Sequence, residues 1–178
     1  MKRIITLLSI CGLLTILASC NSKPSLQKYY ITNQENQNFM VIDIPTSVLN
    51  INVDSLTSTQ QKAFTSIEKL NFLGFKKTDN NTTIYETERD NVKQILSDNS
   101  YKSLIKYGGE KQGAIIKYLG EDEAIDEVVI FGNDNSQGFG IIRVIGNDMN
   151  PAHVLDLIEV VKQSKPDKEA FESIANFF

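Results

Sequence analysis

Apolar residues fill positions 4–17 almost without a break, thin out over 21–38, and then return in short bursts separated by turn residues. The burst Phe39-Met-Val-Ile-Asp-Ile44 predicts a strand, ended by Pro45. Residues 48–53 alternate Leu49, Ile51 and Val53 with Asn50 and Asn52, which predicts a second strand or a sheet edge. Ser58 and Gln61 have capping-box spacing, and Phe64, Ile67 and Leu70 share one helical face, so a helix is expected there. Gly74 breaks into a short strand at 75–78, the turn Asp79-Asn80-Asn81 follows, and a second helix at 87–97 turns Val92, Ile95 and Leu96 inward. Four apolar-rich runs come next, at 101–107, 114–119, 125–131 and 139–145. The gaps between them suit hairpins, so this half should be an antiparallel meander. Pro151 then opens a helix with Val154, Leu157, Ile158 and Val161 on one face. The expected fold is α+β: a mostly antiparallel sheet with about three amphipathic helices on one face, a two-layer sandwich.

The last segment, 164–178, is amphipathic, with Ala170, Phe171, Ile174 and Phe178 on one side. A helix this short is unstable alone in water, so that face must pack on something. Phe171, Ile174, Phe177 and Phe178 are therefore candidate interaction residues, toward the chain's own domain, a partner or a second copy.

The opening run has a different meaning. Lys2 and Arg3 precede an apolar stretch too short for a comfortable membrane span and suited to a signal-peptide core. Leu17-Ala18-Ser19-Cys20 closes it and resembles the lipobox of bacterial lipoproteins, whose cysteine thiol takes a diacylglycerol and becomes the new N-terminus. Residues 1–19 then read as a lipoprotein signal peptide, 20–38 as a polar tether and 39–163 as a single domain. Two or three acyl chains hold a protein firmly at a bilayer, where one holds only marginally. Asn21 stands where an Asp would resemble an inner-membrane retention signal, and no acidic cluster of the surface-export kind follows. The expected location is the outer membrane, facing the periplasm.

Charge narrows the partners. Without Lys2 and Arg3, sixteen basic residues face twenty-two acidic ones, a net −6. That balance argues against nucleic acid, which requires a basic stripe. Cys11 lies in the leader, so the mature domain has no disulfide, no thiol nucleophile beyond Cys20 and no cysteine metal set.

The remaining motifs have plain explanations. His153 is the lone histidine, in the first turn of a helix, without a nucleophile pattern to serve. Asn133-x-Asn135-x-Gln137-Gly138 has the start of a calcium loop, but Val144 stands where the bidentate Glu belongs. The repeated Gly-Asn-Asp at 132–134 and 146–148 is good turn chemistry, and Gly108-Gly109 with Gly113 lacks a phosphate-loop lysine. Glu121, Asp122, Asp126 and Glu127 are an acidic pool from which a carboxylate hydrolase of envelope glycans would need two groups in one cleft. Asp54-Ser55-Leu56 resembles an O-glycosylation acceptor of some Gram-negative envelopes, with Ser55 as the site, and Asn81-Thr82-Thr83 fits an N-linked sequon.

The segments I-E-K-L-N-F-L-G-F at 67–75, D-N-S-Y-K-S-L-I-K-Y at 98–107, A-I-D-E-V-V-I-F at 124–131 and G-F-G-I-I-R-V-I-G-N-D at 138–148 resemble the domain of unknown function 4252. That family occurs in small lipoproteins of Gram-negative bacteria, and the resemblance implies no activity, cofactor or functional residue. The expected function is a non-enzymatic, membrane-anchored binding or interaction module with an envelope protein partner and no cofactor. The rivals are the carboxylate hydrolase and a carrier of small apolar ligands, whose sign would be a cavity of several hundred Å³, about the size of known ligand sites.

Overall fold

The computed structural model describes residues 23–150, 152, 153, 156, 160 and 168–178. The leader with Cys20, and Val154, Leu157, Ile158 and Val161 of the expected helix, lie outside the described residues. Helix α1 (Leu26–Asn33) comes first, N-capped by the Ser25 hydroxyl, which accepts from the Lys28 amide. Strand β1 (Phe39–Ile44) follows, then two 3₁₀ turns at Thr46–Leu49 and Val53–Ser55. Helix α2 (Ser58–Thr65) leads into strand β2 (Ile67–Lys76), and helix α3 (Thr82–Leu96) leads into the meander. The meander is β3 (Lys102–Gly108), β4 (Gln112–Gly120), β5 (Ile125–Asp134) and β6 (Gly138–Met149). Residues 152, 153, 156 and 160 are helical, and α4 (Lys168–Phe177) closes the described chain.

One six-stranded sheet runs in the order β1-β2-β6-β5-β4-β3, with every neighbouring pair antiparallel. Alternation along the strands gives it two apolar faces. On the first, Leu73, Phe75, Phe139, Ile141, Val129 and Phe131 pack against Leu26 and Tyr30 of α1 and against Tyr85, Val92 and Leu96 of α3. Phe75 stacks on Phe139 with ring centroids 5.5 Å apart, and Phe39 meets Phe75 edge-on at 5.0 Å. On the second face, Leu70, Phe72, Val144, Val128 and Tyr118 pack with Leu49, Phe64 and Ile174.

The α+β sheet and the hairpin meander stand as expected, with several changes. Helices lie on both faces rather than one: α1 and α3 on the first, and α4 on the second. The expected tether at 20–38 contains α1, whose Leu26 is 0% exposed and whose Tyr30 is buried. The expected strand at 48–53 is a pair of turns, because Asn50 takes a left-handed φ of 47° that stops extension. Helix α2 stops at Thr65, with its capping box on Thr57 and Gln60 rather than on Ser58 and Gln61, and the residues after Ser66 form a ten-residue strand.

Candidate functional site

Two arrangements stand out, one buried and one open. Asn71, Arg143 and Val129 are neighbours across β2, β6 and β5 and point to the face that α1 covers. There Arg143 donates from Nε to Glu127 Oε1 at 2.9 Å and from a terminal nitrogen to Oε2 at 2.7 Å. The two side chains are 6% and 7% exposed. The third guanidinium nitrogen donates to the Gln27 side chain of α1 at 2.9 Å, and the guanidinium lies 5.1 Å from the Tyr30 ring centre. Burial works against the charge on Arg143, but the Glu127 hydrogen bonds and charge outweigh it and raise its pKa. The Tyr30 hydroxyl donates to the Ile141 carbonyl at 2.9 Å, and burial holds its pKa far above the usual range. Beside it, the Asn71 amide donates to Asp43 of β1. Each nitrogen of the Arg143 guanidinium donates within the protein, so the cluster acts as internal bracing. Among the described residues, no buried side-chain nitrogen or oxygen lacks a partner.

The open arrangement is on the second face. Gly74 pairs with Gly140, Gly140 with Gly132, Gly132 with Ala114 and Ala114 with Tyr107, one line across five strands. Gly140, Gly132 and Ala114 of this line form the floor of a groove of about 760 Å³, while Gly74 lies beneath the Phe177 ring. Phe72, Ile130, Ile142 and Phe178 give it apolar walls, and Gln112, Asp134 and Gln137 lie at its polar end. A Cβ added at Gly132 would meet nothing within 4 Å among the described residues. Asp134 is already engaged: Ser136 donates to it from hydroxyl and amide, which holds its pKa below the usual carboxylate range, and Gln112 donates to its other oxygen at 3.0 Å. The groove offers shape and apolar surface rather than a reactive group.

Strand β3 borders this face at the sheet edge. It exposes Tyr107 at 78% and Ile105 at 44%, both paired with residues that face the groove side of β4.

The residues singled out in the sequence are dispersed over the fold. Of the acidic pool, Glu127 is buried against Arg143, while Asp122 is exposed and accepts from Lys102 at 2.5 Å and from the Tyr118 hydroxyl at 2.9 Å. Lys102, and then Tyr118, hold the Asp122 pKa below the usual value. None of Glu121, Asp122, Asp126 and Glu127 lines the groove. Asn135, from the calcium-like stretch, accepts from the Tyr85 hydroxyl at 2.9 Å and from Arg89 at 3.2 Å as part of a hairpin turn. Among the described residues, no group of three or more His, Cys, Asp or Glu side chains is placed to hold a metal. Ser55 is exposed in the second 3₁₀ turn, with its hydroxyl donating to the Asn52 carbonyl at 2.7 Å. His153 is helical and half-buried.

At the C-terminus, Ile174 packs into the second core, the Phe177 ring lies over Gly74, and the Phe178 ring centre is 6.5 Å from that of Phe72. Phe171 belongs to the same helix. The described aromatic tail is therefore seated on its own sheet, beside the groove. Two features escaped the sequence reading. Arg143 carried a signal, a lone cation inside the apolar run of β6, whereas the glycine line exists only through strand register.

No curated protein and no solved structure matches the chain. Among the described residues, no helix is long and apolar enough to cross a membrane. The family model described as "Domain of unknown function (DUF4252)" matches residues 29–157, from within α1 past the end of the sheet. With most of its length, and the whole sheet, inside that match, the chain belongs to the DUF4252 family.

Proposed function

We propose that this protein is a non-enzymatic binding module, held by lipid on Cys20 at the periplasmic face of an outer membrane, that engages an extended segment of an envelope protein. The observation that carries the reading is the exposed pair Ile105 and Tyr107 on edge strand β3, next to a groove with apolar walls that the described residues leave open. An edge strand presents unpaired backbone donors and acceptors, and an extended segment added there gains both hydrogen bonds and side-chain pockets. Lys102 and Lys106 on the same strand discourage pairing with a second copy through like charge. A carrier of small apolar ligands is the second reading. The groove volume of about 760 Å³ lies within the range of ligand sites and supports it, but its open side suits a polymer segment better.

Two measurements test the proposal. Intact mass of the membrane-extracted protein should show a chain starting at Cys20 with acyl groups, absent from Cys20→Ala. The same spectra compared with Ser55→Ala report any O-glycan. A photo-crosslinking residue at position 107 should give a discrete light-dependent adduct in cells, absent from position 86 on exposed α3 surface and lost with Ile105→Glu. No adduct from position 107 would overturn the partner reading.

A further inference from the structure

The tether is far shorter than the sequence suggests. Ser25 caps α1 and Leu26 is fully buried, so the chain is fixed to the domain from residue 25 onward. Just before it, Lys23 Nζ lies 3.7 Å from the Asp98 carboxylate. Only the residues between Cys20 and Ser25 are left to span the distance to a lipid, at most about 18 Å at full extension. The polar layer of one leaflet is itself roughly 5–8 Å deep. Such a leash cannot let the domain turn over.

Strand register identifies the pole it holds down. Ile44, Leu70, Val144, Val128, Tyr118 and Lys102 form one row of pairs near one end of the sheet. Asp98 precedes Lys102 at that end, and the turn between β4 and β5, with Glu121, Asp122 and Glu123, lies there too. The opposite pole carries the row Phe39, Phe75, Phe139, Asn133 and Gly113, with the hairpins at 109–111 and 135–137 and the polar end of the groove. Taking the lipid on Cys20 as proposed above, we infer that the Asp98–Lys102 and Glu121–Glu123 pole is apposed to the bilayer and that the groove's polar end points away from it. Adsorption through charge would not favour this orientation. The apposed turn is acidic, and an anionic leaflet repels it.

The test uses the full lipidated chain in phosphatidylcholine vesicles with a nitroxide on the lipid headgroup. Acylated Cys20 has no free thiol, so Glu123→Cys and Lys111→Cys each take a single fluorophore. Both side chains are exposed, one at each pole. The label at 123 should be quenched at least about twofold more than the label at 111, given a leash this short and a polar layer this thin. Equal or reversed quenching on protein whose mass carries the lipid would overturn the orientation. A chain without the lipid would instead overturn the anchored reading on which it rests. Twenty Gly and Ser residues inserted after Ser22 should abolish the difference. A difference that survives the insertion would overturn the leash as its cause.

Discussion

If α1 is a structural part of the domain, replacing Leu26 by Ala should destabilise it as a core mutation does. Leu26 is 0% exposed and belongs to the buried cluster that also holds Tyr30, Leu73 and the α3 side chains. Removing a fully buried leucine to its Cβ costs about 2–5 kcal/mol, the transfer of the lost methylenes plus a cavity that neighbours only partly refill. Its cluster neighbour Tyr30 is held in place by its own hydrogen bond to the Ile141 carbonyl, so refilling is partial and the middle of the range, about 3 kcal/mol, is expected. For a domain of this size that corresponds to a fall in Tm of roughly 6–12 °C. The assay is urea unfolding of a soluble form beginning at Asn21, followed by circular dichroism, with Tm from calorimetry. A tether residue would behave like any exposed position, within about 0.5 kcal/mol. A loss below about 1 kcal/mol would therefore refute the placement of α1 in the core. Tyr30→Phe gives a second reading of the same contact, because it removes only the hydroxyl donated to Ile141 and should cost about 0.5–1.5 kcal/mol.

Three further outcomes follow from the geometry. Glu127→Leu or Arg143→Met alone should cost about 3–5 kcal/mol by stranding a buried charge, and the double variant carrying both should cost clearly less than the sum in a double-mutant cycle. Asp122 has a folded pKa below its ordinary value of 3.8, so its contacts stabilise the fold above about pH 4 and lose that effect as pH falls through the lower folded value. A pH series of Tm should thus show wild type above Asp122→Asn near neutrality and the two converging in acid. Gly138→Ala should destabilise severely, since its φ of 140° is disfavoured for an L side chain and a Cβ would meet the Phe75 carbonyl oxygen at 1.9 Å. Gly132→Ala, with open space above it, should leave Tm within about 1 °C and narrow the groove, so that any groove ligand measured by titration binds more weakly.

The parts of the fold visible in the sequence are those in which a local pattern and the tertiary demand agree. Strands β3 to β6 are apolar runs separated by turn residues, and hairpins were the economical way to join them. Phe64, Ile67 and Leu70 show how a correct inward set can carry a wrong conformation. All three do face the second core, but from a helix, a strand start and the far side of a bulge, not from one helix. Helix α1 was hidden because only Leu26 and Tyr30 mark its inner face, and the buried Asn33 completes the stripe with a polar side chain. The groove floor could not be read at all. Ala114, Gly132 and Gly140 come together only through pairing of β4, β5 and β6, which no short window contains.

The strand order also sets a timetable for folding. Strand β2 lies between β1 and β6, and its pairing with β6 joins residues 67–76 to 138–146. A chain emerging from its N-terminus can close the β1–β2 hairpin early, but the inner edge of β2, with Leu73 and Phe75 bare, waits until the last strand is delivered. Such non-local closure is slow and leaves sticky edges open meanwhile. Strands β3 to β5 can pair among themselves in that interval, and β6 then joins them to β2. The two halves then dock along one seam, and α1, through Tyr30 and the Ile141 carbonyl, fastens the earliest segment to the latest. Passage through an envelope in an unfolded form would make that late seam the step most in need of a chaperone.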